Sequence, residues 1–144
     1  MHDTAILYPL FALGALTFCV LLLIPFARVR AALKRQVKPE DFKYGESSRV
    51  PPEVSIPNRN YMNLLELPVL FYVVGLMLFL TDGGKGVVLQ LAWLYVALRV
   101  VHSVIHLSYN QVMHRLTAFA LSNFVLGALW ILAFLHVSSI GAGK

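Results

Sequence analysis

Charge is what this chain has least of. Charged residues make up 13% of its 144 positions, about half of the roughly 25% usual in soluble domains. Hydrophobic residues reach 58% and mean hydropathy is +0.71, so the polar surface that a water-soluble core of this size needs is missing. The composition reads as an integral membrane protein of one domain. Acidic residues are scarcer than basic ones, seven against twelve, and the net charge is +5. In a soluble chain that excess would point to nucleic acid. Here eight of the twelve Lys and Arg lie between Arg28 and Arg59, which fits a basic loop beside a membrane span and no nucleic-acid partner. Cysteine is almost absent. Cys19 stands alone in an apolar run, which excludes an intramolecular disulfide and a multi-cysteine metal site and leaves a buried structural thiol as its expected role. There is no internal repeat and no low-complexity stretch. No basic segment precedes the first apolar run, so a cleavable signal is not expected.

What is there is four long apolar segments. Residues 5–27 are long enough to cross a bilayer as a helix, with Pro9 and Pro25 near its ends, where they disturb few internal hydrogen bonds. A polar, basic loop is expected over residues 28–58, its first part extending the helix and the rest broken by Pro39, Pro51, Pro52 and Pro57. Residues 59–80 form the second expected span, and Asp82-Gly83-Gly84-Lys85-Gly86 a tight turn in which Gly-Gly supplies positive φ. The third and fourth spans are residues 87–109 and 115–137. The expected fold is therefore an all-α four-helix transmembrane bundle occupying the whole chain. The basic loop and Arg115 place both polar connections at the cytoplasm and both termini, with Lys85 and Lys144, on the far side. That membrane is the cytoplasmic one in a bacterium and the endoplasmic reticulum in a eukaryote.

Polar residues inside these spans fall into stripes. Arg59, Asn63 and Glu66 sit at i, i+4 and i+7 at the opening of the second span, and so share one helix face. Arg99, His102 and His106 form a second stripe in the third span, with Ser103 and Asn110 close to the same face. At 1.5 Å per residue, His106 lies about 5 Å from the cytoplasmic end, His102 and Glu66 about 10 Å, and Arg99 about 15 Å. Arg115 starts the fourth span at the same surface. Ionisable groups at such depth are costly unless paired, and mark function by default. Glu66 is the expected partner of Arg99. Three arginines against one carboxylate describe a pocket for a small anionic or zwitterionic ligand, since guanidinium forks suit carboxylates. The competing reading is that these groups only lock helix packing. His102 and His106 are too thin a donor set for a metal, and His2 and His136 read as interfacial.

At these residues the chain resembles the MAPEG family, the membrane-associated proteins in eicosanoid and glutathione metabolism. Two motifs carry the likeness: Arg-x-x-x-Asn-x-x-Glu at Arg59, Asn63 and Glu66, and Arg-x-x-His at Arg99 and His102, followed by Arg115. The resemblance implies a homotrimer that binds glutathione between neighbouring subunits and takes a lipophilic small-molecule substrate from membrane lipid. It implies a transferase or peroxidase acting on an electrophile or a lipid hydroperoxide, or else a non-catalytic member that binds lipid or a protein partner. It assigns Arg115 to lowering the pKa of the thiol, and Arg59, Asn63, Glu66, Arg99, His102 and Arg28 to holding glutathione. The chain departs from the synthase-type pattern at three positions. Met62 replaces an arginine, His106 replaces a tyrosine and would take over its part in stabilising the thiolate, and Leu116 replaces a small hydroxyl residue.

Overall fold

The computed structural model describes residues 3–142. Its helices are α1 (Leu7–Leu33), α2 (Pro52–Leu65), α3 (Pro68–Leu80), α4 (Val87–Leu107) and α5 (Val112–Ala142). The only extended pairing among the described residues is an isolated bridge between Lys43 and Gly45. Two halves, polar α2 and apolar α3, together run Pro52–Leu80. With Thr4–Leu33, Val87–Leu107 and Val112–Ala142 this segment completes four helices long and apolar enough to cross a membrane. The all-α, four-span reading therefore holds. His2 and Lys144 lie outside the described residues.

Side chains that meet at the bundle centre explain the packing. Ile6, Leu10 and Leu13 of the first span, Phe71, Val74 and Leu78 of α3, Ala92, Tyr95 and Val96 of α4, and Leu126, Leu129 and Ala133 of α5 form one buried cluster. Their spacing of three and four residues is that of one helix face. Phe71 and Tyr95 stack with ring centroids 4.5 Å apart. Gly75 allows α1 and α3 to meet, because a Cβ there would stand 2.6 Å from Leu10 Cδ1. The opposite faces stay apolar and exposed, among them Phe11, Phe18 and Leu22 of α1 and Phe124 and Phe134 of α5. Cys19 is also exposed. The expectation that it is buried fails because it projects from this outward face, where an apolar residue is at home in lipid.

The loop is shorter than the sequence suggests. α1 passes through Pro25 and ends at Leu33, and α2 already begins at Pro52. Pro52 sits in the first helical turn, where a missing N–H costs nothing. Pro57 lies inside the helix and is buried. A second small core compensates: Ala31, Val37, Val50 and Val54 are buried together, with Phe42 packed on them. That cluster ties the helix extensions to the connecting residues 34–51. Asp41 organises the rest. Its carboxylate accepts from the Lys38 backbone N–H at 2.9 Å, from Ser47 Oγ at 2.9 Å and from Arg49 Nη2 at 2.9 Å. The Lys38 amide first, then the Ser47 hydroxyl and, against burial, the Arg49 guanidinium hold this carboxyl below the ordinary carboxylate range.

At the far end of the bundle the turn after α3 uses its glycines differently from the expectation. Positive φ falls on Asp82 (59°) and Gly86 (56°). Gly83 and Gly84 serve close approach instead. A Cβ on Gly83 would lie 2.5 Å from the His136 ring, and one on Gly84 would lie 2.6 Å from Ile6 Cβ. His136 Nε2 donates to the Thr81 carbonyl at 3.0 Å, and the Asp3 N–H donates to Asp82 Oδ1 at 3.2 Å. This end is closed by polar contacts among chain segments.

Candidate functional site

The site begins with a helix break. Pro68 has no N–H, so the helical bond to the Leu64 carbonyl cannot form, and its ring disfavours a continuous helix. α2 stops at Leu65, Glu66 turns out of helical geometry with ψ −104°, and α3 restarts with Pro68 in its first turn. The Asn63 carbonyl would accept from the Leu67 N–H in an unbroken helix. Released from that bond, it accepts from Arg99 Nη2 on α4. Arg99 is fully buried, and its guanidinium carbon lies 5.6 Å from the centre of the Phe119 ring.

The start of α5 closes the other side. Asn110, in the left-handed region at φ 48°, accepts from Arg115 Nη1 through its side-chain oxygen at 2.7 Å. His102 Nδ1 lies 3.1 Å from the Arg115 carbonyl. A carbonyl only accepts, so Nδ1 carries the proton and Nε2 of the neutral ring is left as an acceptor. His106 stacks on His102 with ring centroids 5.9 Å apart. Ser103 Oγ donates to Asn60 Oδ1 at 3.2 Å, which joins α4 to α2 a turn away from Arg99.

Between these groups lies a pocket of about 210 Å³ lined by Asn63, His102, Val112, Arg115, Leu116 and Phe119. Five buried side chains of α2 and α4 keep polar atoms with no hydrogen-bond partner among the described residues: Arg99 Nε and Nη1, His102 Nε2, His106 Nδ1, Asn60 Nδ2 and Tyr95 Oη. Buried polar groups are ordinarily paired. Tyr95 lies nearer the bundle centre; the other four gather toward the basic end, include no carboxylate, and suit an anionic or polar ligand or ordered water.

The residues singled out from the sequence do not all meet. Asn63, His102 and Arg115 line the pocket, while Arg99 and His106 are buried close to it. Arg59 and Glu66 are exposed, Arg59 on α2 and Glu66 at the break. The expected ion pair between Glu66 and Arg99 is not among those formed within the described residues, which are Arg28–Glu46, Arg49–Asp41 and Lys85–Asp82. The reason is the break itself, which exposes Glu66 and offers Arg99 a backbone carbonyl instead. Arg28 is engaged elsewhere. Its Nη2 lies 3.3 Å from Glu46 Oε1, and its guanidinium carbon is 4.5 Å from the centre of the Phe42 ring. Sequence reasoning missed Asn60, which is fully buried, and Phe119. Asn60 lies three residues before Asn63, and Phe119 four after Arg115, so helical spacing was the available signal. Among the described residues no three His, Cys, Asp or Glu side chains gather as metal donors.

Comparison with known proteins agrees with this architecture. The MAPEG family profile matches residues 6–135. Nothing among curated proteins or solved structures matches the chain. With four membrane-length helices already in place, a match over nearly the whole length settles the matter: the chain belongs to the MAPEG family.

Proposed function

We propose that this protein is a membrane-embedded, glutathione-dependent transferase or peroxidase acting on a lipophilic electrophile or a lipid hydroperoxide. The observation that carries the proposal is the pocket of Asn63, His102 and Arg115 beside a buried Arg99 with two unpartnered guanidinium nitrogens. Such a donor set fits a ligand with carboxylates, and glutathione carries two. The pocket, about 210 Å³, has room for one end of a tripeptide. Arg59 on α2 and Glu66 at the break, both exposed, suit the remainder, with Glu66 receiving the amine. In a homotrimer those exposed groups would face a neighbouring copy. When bound, glutathione supplies a thiol whose thiolate is the attacking nucleophile or the reductant. The chain's own part is electrostatic. Arg115, oriented by Asn110, places a guanidinium at the pocket wall, where a nearby cation lowers a thiol's pKa. His106, buried behind His102, takes the place of a phenol. The apolar neighbours Val112, Leu116 and Phe119 limit water at the reacting sulfur.

A titration of the solubilised protein with millimolar glutathione, followed by the thiolate ultraviolet difference signal, tests the proposal. A saturable signal is expected, and it should fall at least severalfold in Arg115→Ala. No signal in lipid-reconstituted protein overturns the activity. One observation favours the non-catalytic alternative, a membrane protein that binds lipid or a partner. Arg99 and His102 each already spend one donor tying helices together. On that reading glutathione fails to bind, although Arg99→Met still destabilises the fold.

A further inference from the structure

A second groove lies at the start of α2, toward the same basic end of the bundle, shares no lining residue with the first pocket, and has no part in the glutathione proposal. It encloses about 450 Å³ between the end of α1, the start of α2 and the last turn of α4. The α1 residues that line it include Leu23, Phe26, Ala27, Arg30 and Lys34. Their spacing of three and four puts them on one helix face. Along that face the chemistry changes once. Leu23, Phe26 and Ala27 are apolar, and Arg30 and Lys34 carry charge about 10 and 16 Å further along the axis from Leu23. α2 contributes Glu53, Val54 and Pro57, and α4 contributes Leu107.

We propose that this groove binds one anionic phospholipid, with the phosphodiester at Arg30 and Lys34 and the upper part of one acyl chain against Leu23, Phe26 and Leu107. Three observations carry this. First, the order of apolar floor and cationic rim follows the order of chain and headgroup across a membrane boundary. Second, Arg30 and Lys34 belong to none of the ion pairs formed among the described residues. Neighbouring Arg28 differs, being held by Glu46 and Phe42. Third, Arg30 and Lys34 against the single carboxylate of Glu53 leave one positive charge over in the groove, which matches a monoanionic headgroup and not a zwitterionic one. The apolar floor distinguishes a lipid from free phosphate, which would have no use for Leu23, Phe26 and Leu107.

Native mass spectrometry of the detergent-solubilised full chain, titrated with phosphatidylglycerol and with phosphatidylcholine of the same acyl chains, tests the proposal. The wild type is expected to retain phosphatidylglycerol about tenfold over phosphatidylcholine. The double substitution Arg30→Gln with Lys34→Gln, both on exposed side chains, should remove that preference. Ala27→Trp, which fills the floor and leaves both charges, should reduce binding of either lipid. Lys43→Gln, an exposed cation outside the groove, should change nothing, and excess inorganic phosphate should not displace the lipid. Equal retention of the two lipids overturns the proposal. So does a preference lost equally in Lys43→Gln, displacement by phosphate alone, or an assembled protein that retains no lipid because neighbouring copies cover the groove.

Discussion

Arg99 shows what a single side chain does in this fold. Its burial would be prohibitive for a bare charge, yet one guanidinium nitrogen caps a backbone carbonyl that a proline has freed, and the guanidinium carbon lies 5.6 Å from the centre of the Phe119 ring. Removing the guanidinium leaves the Asn63 carbonyl buried without its donor, a loss of about 1–3 kcal/mol for such a group. Arg99→Met is therefore expected to lower the unfolding free energy in detergent by that order, measured by reversible denaturation. An unchanged value would mean that the carbonyl finds another donor. His102 acts in a similar way through the Arg115 carbonyl. His102→Asn keeps an N–H donor in reach and should retain most of the stability that His102→Phe loses, by about 1 kcal/mol.

At the scale of elements, the break between α2 and α3 and the loop at residues 34–51 do the positioning. Pro68→Ala restores an N–H and allows Leu67 to bond the Asn63 carbonyl, which takes away the acceptor of Arg99. Helix content by circular dichroism should hold or rise while glutathione binding weakens severalfold. Binding that is unaffected would show that the break does not shape the pocket. The loop depends on Asp41. Its carboxyl titrates below the ordinary carboxylate range, so the stability it contributes is present above the unfolded-state value and is lost as the pH falls through the lower folded value. Loop amides around Ser47 should keep their hydrogen-exchange protection at neutral pH and lose it below about pH 4. Asp41→Asn should show weak protection at every pH. Equal acid sensitivity in both proteins would assign the effect to another group.

At the scale of the whole molecule, the two ends of the bundle differ in kind. One end carries the basic loop, the buried polar cluster and the lipid groove. The other is a short turn closed by Asp82, His136 and Asp3. The positive-inside tendency predicts that the first end faces the cytoplasm. In a Cys19→Ser background, Tyr44→Cys should react with a membrane-impermeant maleimide only from the cytoplasmic side. Lys85→Cys should react only from the opposite side. Labelling of both from the same side would refute the four-span topology, and the reversed pattern would invert the protein.

Some of this was written in the sequence and some was not, for a physical reason. Four spans follow from hydropathy and length, which are local sums. The stripes at Arg59, Asn63 and Glu66 and at Arg99, His102 and His106 follow from helical spacing, and with Arg115 they carried the family. Which polar groups would meet was decided only in three dimensions. The sequence pairs Glu66 with Arg99 because depth and opposite charge are all that a one-dimensional reading can compare. The fold pairs Arg99 with a main-chain carbonyl, because Pro68 turns Glu66 outward and frees Asn63. No residue type announces a backbone acceptor. The same limit hid Asn60, which is buried and accepts from Ser103 of α4, and it misread the prolines around α2. Their cost is offset by the small core of Ala31, Val37, Val50 and Val54, residues too far apart along the chain for any window to join.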